Sequence, residues 1–216
     1  MLRMDGELAA WWPLLSAPHE YEEEVDFFLK VLADANLPAA ATMLELGSGG
    51  GNNARYLKRR FSKITLTDLS KDMLAVSRAL NPDCEHLQGD MRTLRLGRMF
   101  DFVFVHDAIE YMTTLEDLAA AIQTAALHCR PGGATLFVPD VIRETFEPST
   151  EHGGHDGDQR AIRYLEWTYD PDPFDTAYVA EYVFVLREGS QPARIVHERH
   201  DLGMFPRDEW RRRLKS

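Results

Sequence analysis

Leu44-Glu45-Leu46-Gly47-Ser48-Gly49-Gly50-Gly51-Asn52-Asn53 lies between a strand-like run and a helix-like run. Glycines permit tight turning and close approach of a ligand to the backbone, and the first turn of the following helix has amides without intrahelical partners. The chemistry this favours is the holding of a polar cofactor. Asp68 lies 21 positions after Gly47, at the end of the next strand-like run, where a carboxylate accepts from both hydroxyls of a ribose. The spacing points to an adenosine-bearing ligand. A dinucleotide fingerprint needs Gly-x-Gly-x-x-Gly, but Asn52 holds the third glycine position counted from Gly47. Glu45 argues the same way, because its carboxylate would repel a pyrophosphate and attract an ammonium group.

Regular elements must position these groups. YEEEVDFFLKVLADA places Tyr21, Val25, Phe28, Leu29 and Leu32 at helical spacing, with its acids near the end that the helix dipole favours. ATMLEL predicts a strand, and the helix after the glycine turn carries Ala54, Leu57 and Phe61 on one face. KITLTD predicts a second strand, and Ser70 caps the helix KDMLAVSRAL. FDFVFV, apolar almost throughout, reads as a buried parallel strand. Thr113 and Glu116 form a capping box for LEDLAAAIQTAALHC, which stops at RPGG before the strand ATLFVPD. This alternation predicts an α/β fold with an open, mostly parallel sheet and right-handed crossovers. After Pro139 the rhythm changes. EPSTEHGGHDGDQ reads as a polar loop, and RYLEWTYD, TAYVAEYVFVLRE and RIVHERHDLGMF as antiparallel strands. FPRDEWRRRLKS begins a last helix with Trp210 and Leu214 on one side. The divisions expected are 1–140 for an N-terminal helix and the cofactor-binding core, 141–206 for a loop and antiparallel layer, and 207–216 for a returning helix.

With 216 residues, 44% of them hydrophobic and 27% charged, the chain has material for a sizeable core. Its 35 acidic against 24 basic residues give a net charge of -11, which argues against nucleic acid or an anionic membrane as partner. Cys84 and Cys129 are the only cysteines, too few for a disulfide scaffold or a cysteine-based zinc site and suited to a reducing compartment. The first segment, MLRMDGELAAWWPLL, carries Asp5 and Glu7 where a signal peptide is apolar. A cytoplasmic location is expected.

Gly47, Gly49 and Gly51 as GxGxG, with Glu45 before them and Asp68 after, give the chain a resemblance to the class I S-adenosylmethionine-dependent methyltransferases over about residues 20 to 140. The resemblance implies a Rossmann-like sheet and S-adenosyl-L-methionine as cofactor. Glu45 would organise its methionine end beside Ser48, and Asp68 its ribose. Leu69, Ser70 and Met73 would line the adenine, with Gly89, Asp90 and Met91 at its far edge and Asp90 on the exocyclic amine. His106 would approach the methionine moiety and face the transfer centre, followed by Asp107, Ala108 and Tyr111. GDMRTLRLGRMFDFV and the later strands resemble small-molecule enzymes that N-methylate amino sugars, which lay an antiparallel sheet over the acceptor. The resemblance also predicts two further core strands after EWRRRLKS, for which the 216 residues leave no room.

Methyl transfer needs an in-line acceptor and a desolvated pocket more than a dedicated acid. His106, at the carboxyl end of a central strand, is the first candidate for a supporting base, and Tyr21 and Tyr111 are candidates to close over or border the acceptor. Each has a plainer reading as a cofactor contact or core aromatic. Arg163, Glu166, Trp167, Tyr169, Tyr178, Glu181 and Tyr182 would suit a polar organic acceptor, a homodimer interface, or ordinary cross-strand pairing. His152 and His155, in HGGH, lack a third ligand at metal-site spacing, and HERH, His197 to His200, is not the zinc motif HExxH; no metal is expected. The expected function is methylation of a small amine or hydroxyl acceptor. The alternatives are a nonenzymatic cofactor-binding or assembly protein on the same scaffold, an NAD-dependent oxidoreductase and an RNA methyltransferase.

Overall fold

The computed structural model describes residues 2–35, 37–39 and 41–215. A parallel sheet runs in the order β3-β2-β1-β4-β5. Its strands are β1 (Thr42–Leu46), β2 (Lys63–Asp68), β3 (Glu85–Gln88), β4 (Phe100–Val105) and β5 (Cys129–Phe137). β4 is buried at every position, Asp101 included, and alternate side chains serve opposite layers. Phe102 and Phe104 join Phe28 and Phe61 in a chain of rings with centroids 5.2 to 6.0 Å apart. Val103 and Val105 pack the other way, with Leu118, Ala121 and Ala125. Each such large side chain contributes roughly 1.5–3 kcal/mol by leaving water.

The helices are α1 (Trp12–Leu15), α2 (Glu22–Val31), α3 (Asn52–Leu57), α4 (Lys71–Leu80), α5 (Leu115–His128) and α6 (Arg207–Arg213). Ser70 caps α4, its Oγ accepting from the Asp72 and Met73 amides. At α5 the cap is Thr114 rather than Thr113, its Oγ1 accepting from the Asp117 amide. Either threonine satisfies the sequence pattern, and the backbone settles the choice. In α6, Trp210 is buried against Phe137 and Phe205, but Leu214 is half exposed, so the two do not share a buried face. Ser216, at the end of that expected helix, lies outside the described residues.

The second sheet is antiparallel, in the order β6-β7-β8-β9. β7 (Arg160–Tyr169), β8 (Ala177–Glu188) and β9 (Arg194–Gly203) are the three expected strands. β6 (Ser149–Gly153) is a fourth, in the segment that reads as a polar loop. Its residues are mostly exposed, so no apolar alternation announces it; pairing with β7 holds it. Ahead of α2, the N-terminal segment crosses between the sheets. Met4, Leu8 and Trp11 are buried with Ile162, Phe184, Leu186 and Val196, while Glu198 Oε2 accepts from the amides of Arg3 and Met4 at 3.0 and 3.1 Å. Among the described residues no helix is long and apolar enough to cross a membrane.

Candidate functional site

In the order 3-2-1-4-5 the chain reverses direction between β1 and β4, and open α/β sheets bind ligands at the carboxyl ends of the strands flanking such a reversal. A cavity of about 650 Å³ opens there, of a size that suits a cofactor with a small acceptor. A second concavity of about 610 Å³, at the opposite strand ends around Thr42, Lys58 and Glu85, lies away from the glycine turn.

The turn is built differently from a phosphate cradle. The Gly47 and Ser48 amides both donate to the Thr67 carbonyl, the Gly49 amide to Asp68 Oδ2, and the Gly51 amide to the Ser48 carbonyl. These turn amides are therefore spent inside the protein. What faces the cavity is acceptor chemistry. Glu45, 1% exposed, hydrogen-bonds with Asn53, but its Oε2 has no partner, and neither has the buried Ser48 Oγ. Burial pushes the Glu45 carboxyl up to about 8. A buried, unpaired carboxylate oxygen fits a ligand ammonium and would repel a phosphate. Asp68, at the end of β2, accepts from the amides of Gly49 at 2.8 Å and Ser70 at 2.7 Å, which fixes its plane and leaves lone pairs for a diol. Leu69, Met73, Gly89, Asp90 and Met91 line the adjoining wall. Asp90 is already engaged: Arg92 chelates both its oxygens, so an adenine amine would have to share it.

Gly51 is not among the residues lining the cavity. Its φ is +78°, and a Cβ there would lie 2.3 Å from Ser77 Oγ and 2.6 Å from Asn81 Nδ2, on the side of α4. Gly51→Ala is expected to destabilise the fold by about 1–3 kcal/mol, through left-handed strain and overpacking. A urea denaturation midpoint equal to wild type would refute this packing role.

The residues expected to serve the reaction divide. His106, Tyr21 and Tyr111 all line the cavity. His106 is 6% exposed, with Nε2 3.1 Å from Glu24 Oε1 and Nδ1 2.9 Å from Asp107 Oδ1. Burial opposes its charge, yet the two carboxylates prevail and hold the imidazole protonated, up to about 10. An imidazolium at neutral pH has no lone pair to offer, so the base role expected of His106 does not fit this geometry. Tyr21 Oη shares a hydrogen bond of 2.7 Å with Ser16 Oγ, and burial pushes the phenol up to about 12. Tyr111 Oη lies 3.1 Å from His200 Nδ1, bridging to β9.

Sequence reasoning passed over three groups. Asp140 follows β5, at the strand-end position where such sheets carry function, and Glu110 follows β4. Both line the cavity beside Asp107. Burial, then the Asp107 and Glu110 charges, push Asp140 far up, and its protonated carboxyl donates to Asp107. Glu110, 4% exposed and raised by burial to about 7, accepts from the Val141 amide at 3.0 Å and Tyr178 Oη at 2.9 Å. The N-terminal segment is the third. Asp5, Trp12, Ser16 and Glu20 line the cavity, Asn52 Nδ2 donates to the Ser16 carbonyl at 3.1 Å, and Trp12 lies where a Cβ on Gly50 would stand. The apolar run LAAWWPLL, with the adjacent pair Trp11-Trp12, was the available signal. From the antiparallel sheet, Tyr164, Glu166, Tyr182 and Phe184 line the cavity, and Tyr178 reaches it through Glu110. Arg163 and Trp167 point to the outer face, as the period of two dictates; Tyr169 and Glu181 hydrogen-bond on that face at 3.3 Å.

Residues 43–133 match a family described as a methyltransferase domain. The chain is 35% identical over 116 residues to a dTDP-3-amino-3,4,6-trideoxy-alpha-D-glucopyranose N,N-dimethyltransferase of Streptomyces venezuelae, covering 53% of this chain and 49% of that one. It is 33% identical over 147 residues to a dTDP-3-amino-3,6-dideoxy-alpha-D-glucopyranose N,N-dimethyltransferase of Streptomyces fradiae, covering 66% and 57%. The matches thus span about half the length of these curated relatives. The crystal structure of Streptomyces venezuelae DesVI superposes with a TM-score of 0.78 at 27% identity, over 90% of this chain and 81% of that one. The resemblance carried by the glycine turn and its two acids therefore extends from motif to backbone: residues 43–133 match a methyltransferase domain, and the fold is similar to that of Rossmann-like, S-adenosylmethionine-dependent methyltransferases.

Proposed function

We propose that this protein N-methylates a small polar acceptor, an amino sugar carried on a nucleotide, with S-adenosylmethionine as donor. The observation that carries the reading is the division of the cavity: cofactor-type acids at the ends of β1 and β2, and a second acid group, Asp107, Glu110 and Asp140, under the antiparallel sheet. Bound S-adenosylmethionine supplies an electrophilic methyl group on a cationic sulfur. Glu45 takes its ammonium, Asp68 its ribose hydroxyls, and Met73 and Met91 flank its base.

An amine acceptor arrives at neutral pH largely as an ammonium ion and must lose a proton before its lone pair can attack. The second acid group attracts that cation, and a carboxyl raised by burial lies close enough to neutrality to accept a proton. His106, fixed as a cation, limits the negative charge around Asp107, so the group is not a permanent trap for the ammonium. Glu166, which accepts from Tyr182 Oη at 2.7 Å, and the rings of Tyr164 and Phe184 wall the acceptor side. The N-terminal segment covers the cofactor side and excludes water, which strengthens each charge interaction beneath it. The relatives named above act on dTDP-linked 3-amino sugars, and the same acceptor class suits an acidic, partly aromatic cavity.

The test pairs calorimetry with product analysis. The protein is titrated with S-adenosylmethionine and then incubated with dTDP-linked amino sugars and their hydroxyl counterparts. Release of S-adenosylhomocysteine, with one or two methyl groups added to the amino sugar, is the expected result. Transfer to hydroxyl counterparts alone would refute N-methylation, and cofactor binding without turnover on any of them would favour a nonenzymatic binding protein.

A further inference from the structure

His155, whose sequence neighbourhood offers no third ligand, meets two from elsewhere in the chain. In the 3-10 turn Pro18–Tyr21, His19 and Glu20 face it, and one ligand atom from each of the three residues lies within 4.8 Å of the others. His152, the other histidine of HGGH, lies on β6 and has no part in this cluster. We propose that His19, Glu20 and His155 form a site for a divalent transition ion of the zinc class, which clamps the N-terminal segment to the antiparallel layer.

The geometry supports this in three ways. First, His155 Nε2 lies 3.4 Å from Glu20 Oε1, and bonds of about 2.0–2.1 Å in a tetrahedron place neighbouring ligand atoms roughly 3.3 Å apart. Second, both groups are oriented from behind. His155 Nδ1 lies 3.1 Å from the Leu14 carbonyl, an acceptor that places the ring proton on Nδ1 and leaves the Nε2 lone pair free. Glu20 Oε2 accepts from the Ala17 amide at 2.9 Å, leaving Oε1 turned toward His155. Third, the His155 backbone is anchored, its carbonyl accepting from the Ile162 amide at 3.1 Å. His19 is exposed, with its ring centroid 6.0 Å from that of His155, so rotation of its side chain completes the site. Two imidazoles and one carboxylate suit zinc-like ions rather than magnesium or calcium, and water would fill the fourth position.

The consequence lies in what the clamp joins. Glu20 lines the cavity, and Tyr21 follows it directly, held to Ser16, which in turn is held by Asn52 beside the glycine turn. Bridging His19 and Glu20 to His155 ties this cover to the sheet. A bound ion should therefore stabilise the fold and slow ligand release.

The test uses tag-free, chelator-treated full chain. Calorimetric titration with Zn²⁺ should show one ion per chain, and Co²⁺ should give the visible absorption of a four-coordinate N/O site. His19→Ala and His155→Ala should each weaken binding by at least about tenfold. His152→Ala should leave binding unchanged. Zn²⁺ should raise the melting temperature of wild type and slow S-adenosylhomocysteine dissociation, and His19→Ala should lose both effects while melting normally in chelator. Equal Zn²⁺ binding by wild type and a variant carrying both His19→Ala and His155→Ala, or no saturable binding by wild type, would overturn the site. Binding without change in melting or release would overturn the clamp.

Discussion

Asp140→Asn is expected to lower kcat/KM for an amine acceptor at pH 7 by on the order of 10²-fold, the lower end of what a general base contributes, while leaving melting behaviour close to wild type. The two halves of the expectation share one cause. In the resting protein the raised Asp140 carboxyl is protonated and donates to Asp107, and an asparagine amide donates in the same place. Packing and the hydrogen bond therefore survive. What disappears is the ionised form: in wild type the approaching ammonium favours loss of the resting Asp140 proton to solvent, after which the carboxylate can take a proton from the amine, and an asparagine amide cannot. Once the pH is high enough to ionise Asp140 in wild type, a further rise supplies only more free amine from solution, so the deficit should shrink at the alkaline end. Steady-state kinetics across pH with a dTDP-amino sugar measures it. A variant with wild-type kcat/KM at pH 7, or with a deficit that does not change with pH, would remove Asp140 from the proton pathway. Glu110→Gln is a useful contrast. It disturbs a carboxyl already bonded to Val141 and Tyr178, so it should also lower the melting temperature.

Glu45→Gln is expected to act in opposite directions on stability and on cofactor binding. Affinity for S-adenosylmethionine should fall by about 10²-fold, matching the 1.5–3 kcal/mol of a hydrogen bond to a charged group. The ligand-free protein should become more stable, increasingly so as pH rises. The sign follows from proton counting. Burial raises Glu45 from its ordinary 4.5 to about 8, so between those values the folded state holds a proton that the unfolded state has lost. Stability contributed by that proton is complete below about pH 4.5 and is lost as pH rises to about 8, at up to about 1.4 kcal/mol per pH unit.

Glu110, raised from 4.5 to about 7, acts in the same direction. His106, raised from 6.5 to about 10 against the opposing effect of its burial, does likewise across a higher window. Ligand-free wild type should therefore melt lower at pH 8 than at pH 6. Because the cofactor ammonium selects the ionised form of Glu45, wild-type affinity should rise over that same interval and the Gln variant should show a flatter profile. Scanning calorimetry and titration calorimetry at the two pH values read both quantities. A Gln variant destabilised at pH 8, or one that keeps wild-type affinity, would show that Glu45 is not the buried ammonium acceptor described here.

The legible part of the site was its cofactor half. Glu45, Ser48 and Asp68 lie at the ends of β1 and β2 or just beyond them, Met73 in the first turn of α4 and Met91 just after β3, where periodicity and a fixed spacing specify position. Even there, only coordinates reveal that the amides of Gly47, Ser48 and Gly49 are consumed internally and that Gly51 faces α4. A glycine pattern records conformational freedom, which serves packing as readily as ligand approach. β6 escaped notice because an edge strand of exposed residues carries no apolar alternation. Thr113 and Thr114 were indistinguishable as caps because each has an acid three residues on, Glu116 and Asp117.

The chain alone determined the βα rhythm, the buried β4, the change to antiparallel strands after Pro139 and the pairing of Glu45 with Asp68, because each is written in local periodicity or in a fixed interval along the chain. Tertiary structure decided the rest. The cavity wall that includes Glu110, Asp140, Glu166 and Tyr182, the cover of residues near Trp12 and Tyr21, and the histidine cluster from positions 19 and 155 each assemble from segments far apart in the chain. No local pattern encodes which distant faces will meet. Nor does a side chain's type set its charge: His106 is a cation and Asp140 a neutral acid because burial and neighbouring carboxylates, brought together only by folding, decide which form costs less free energy.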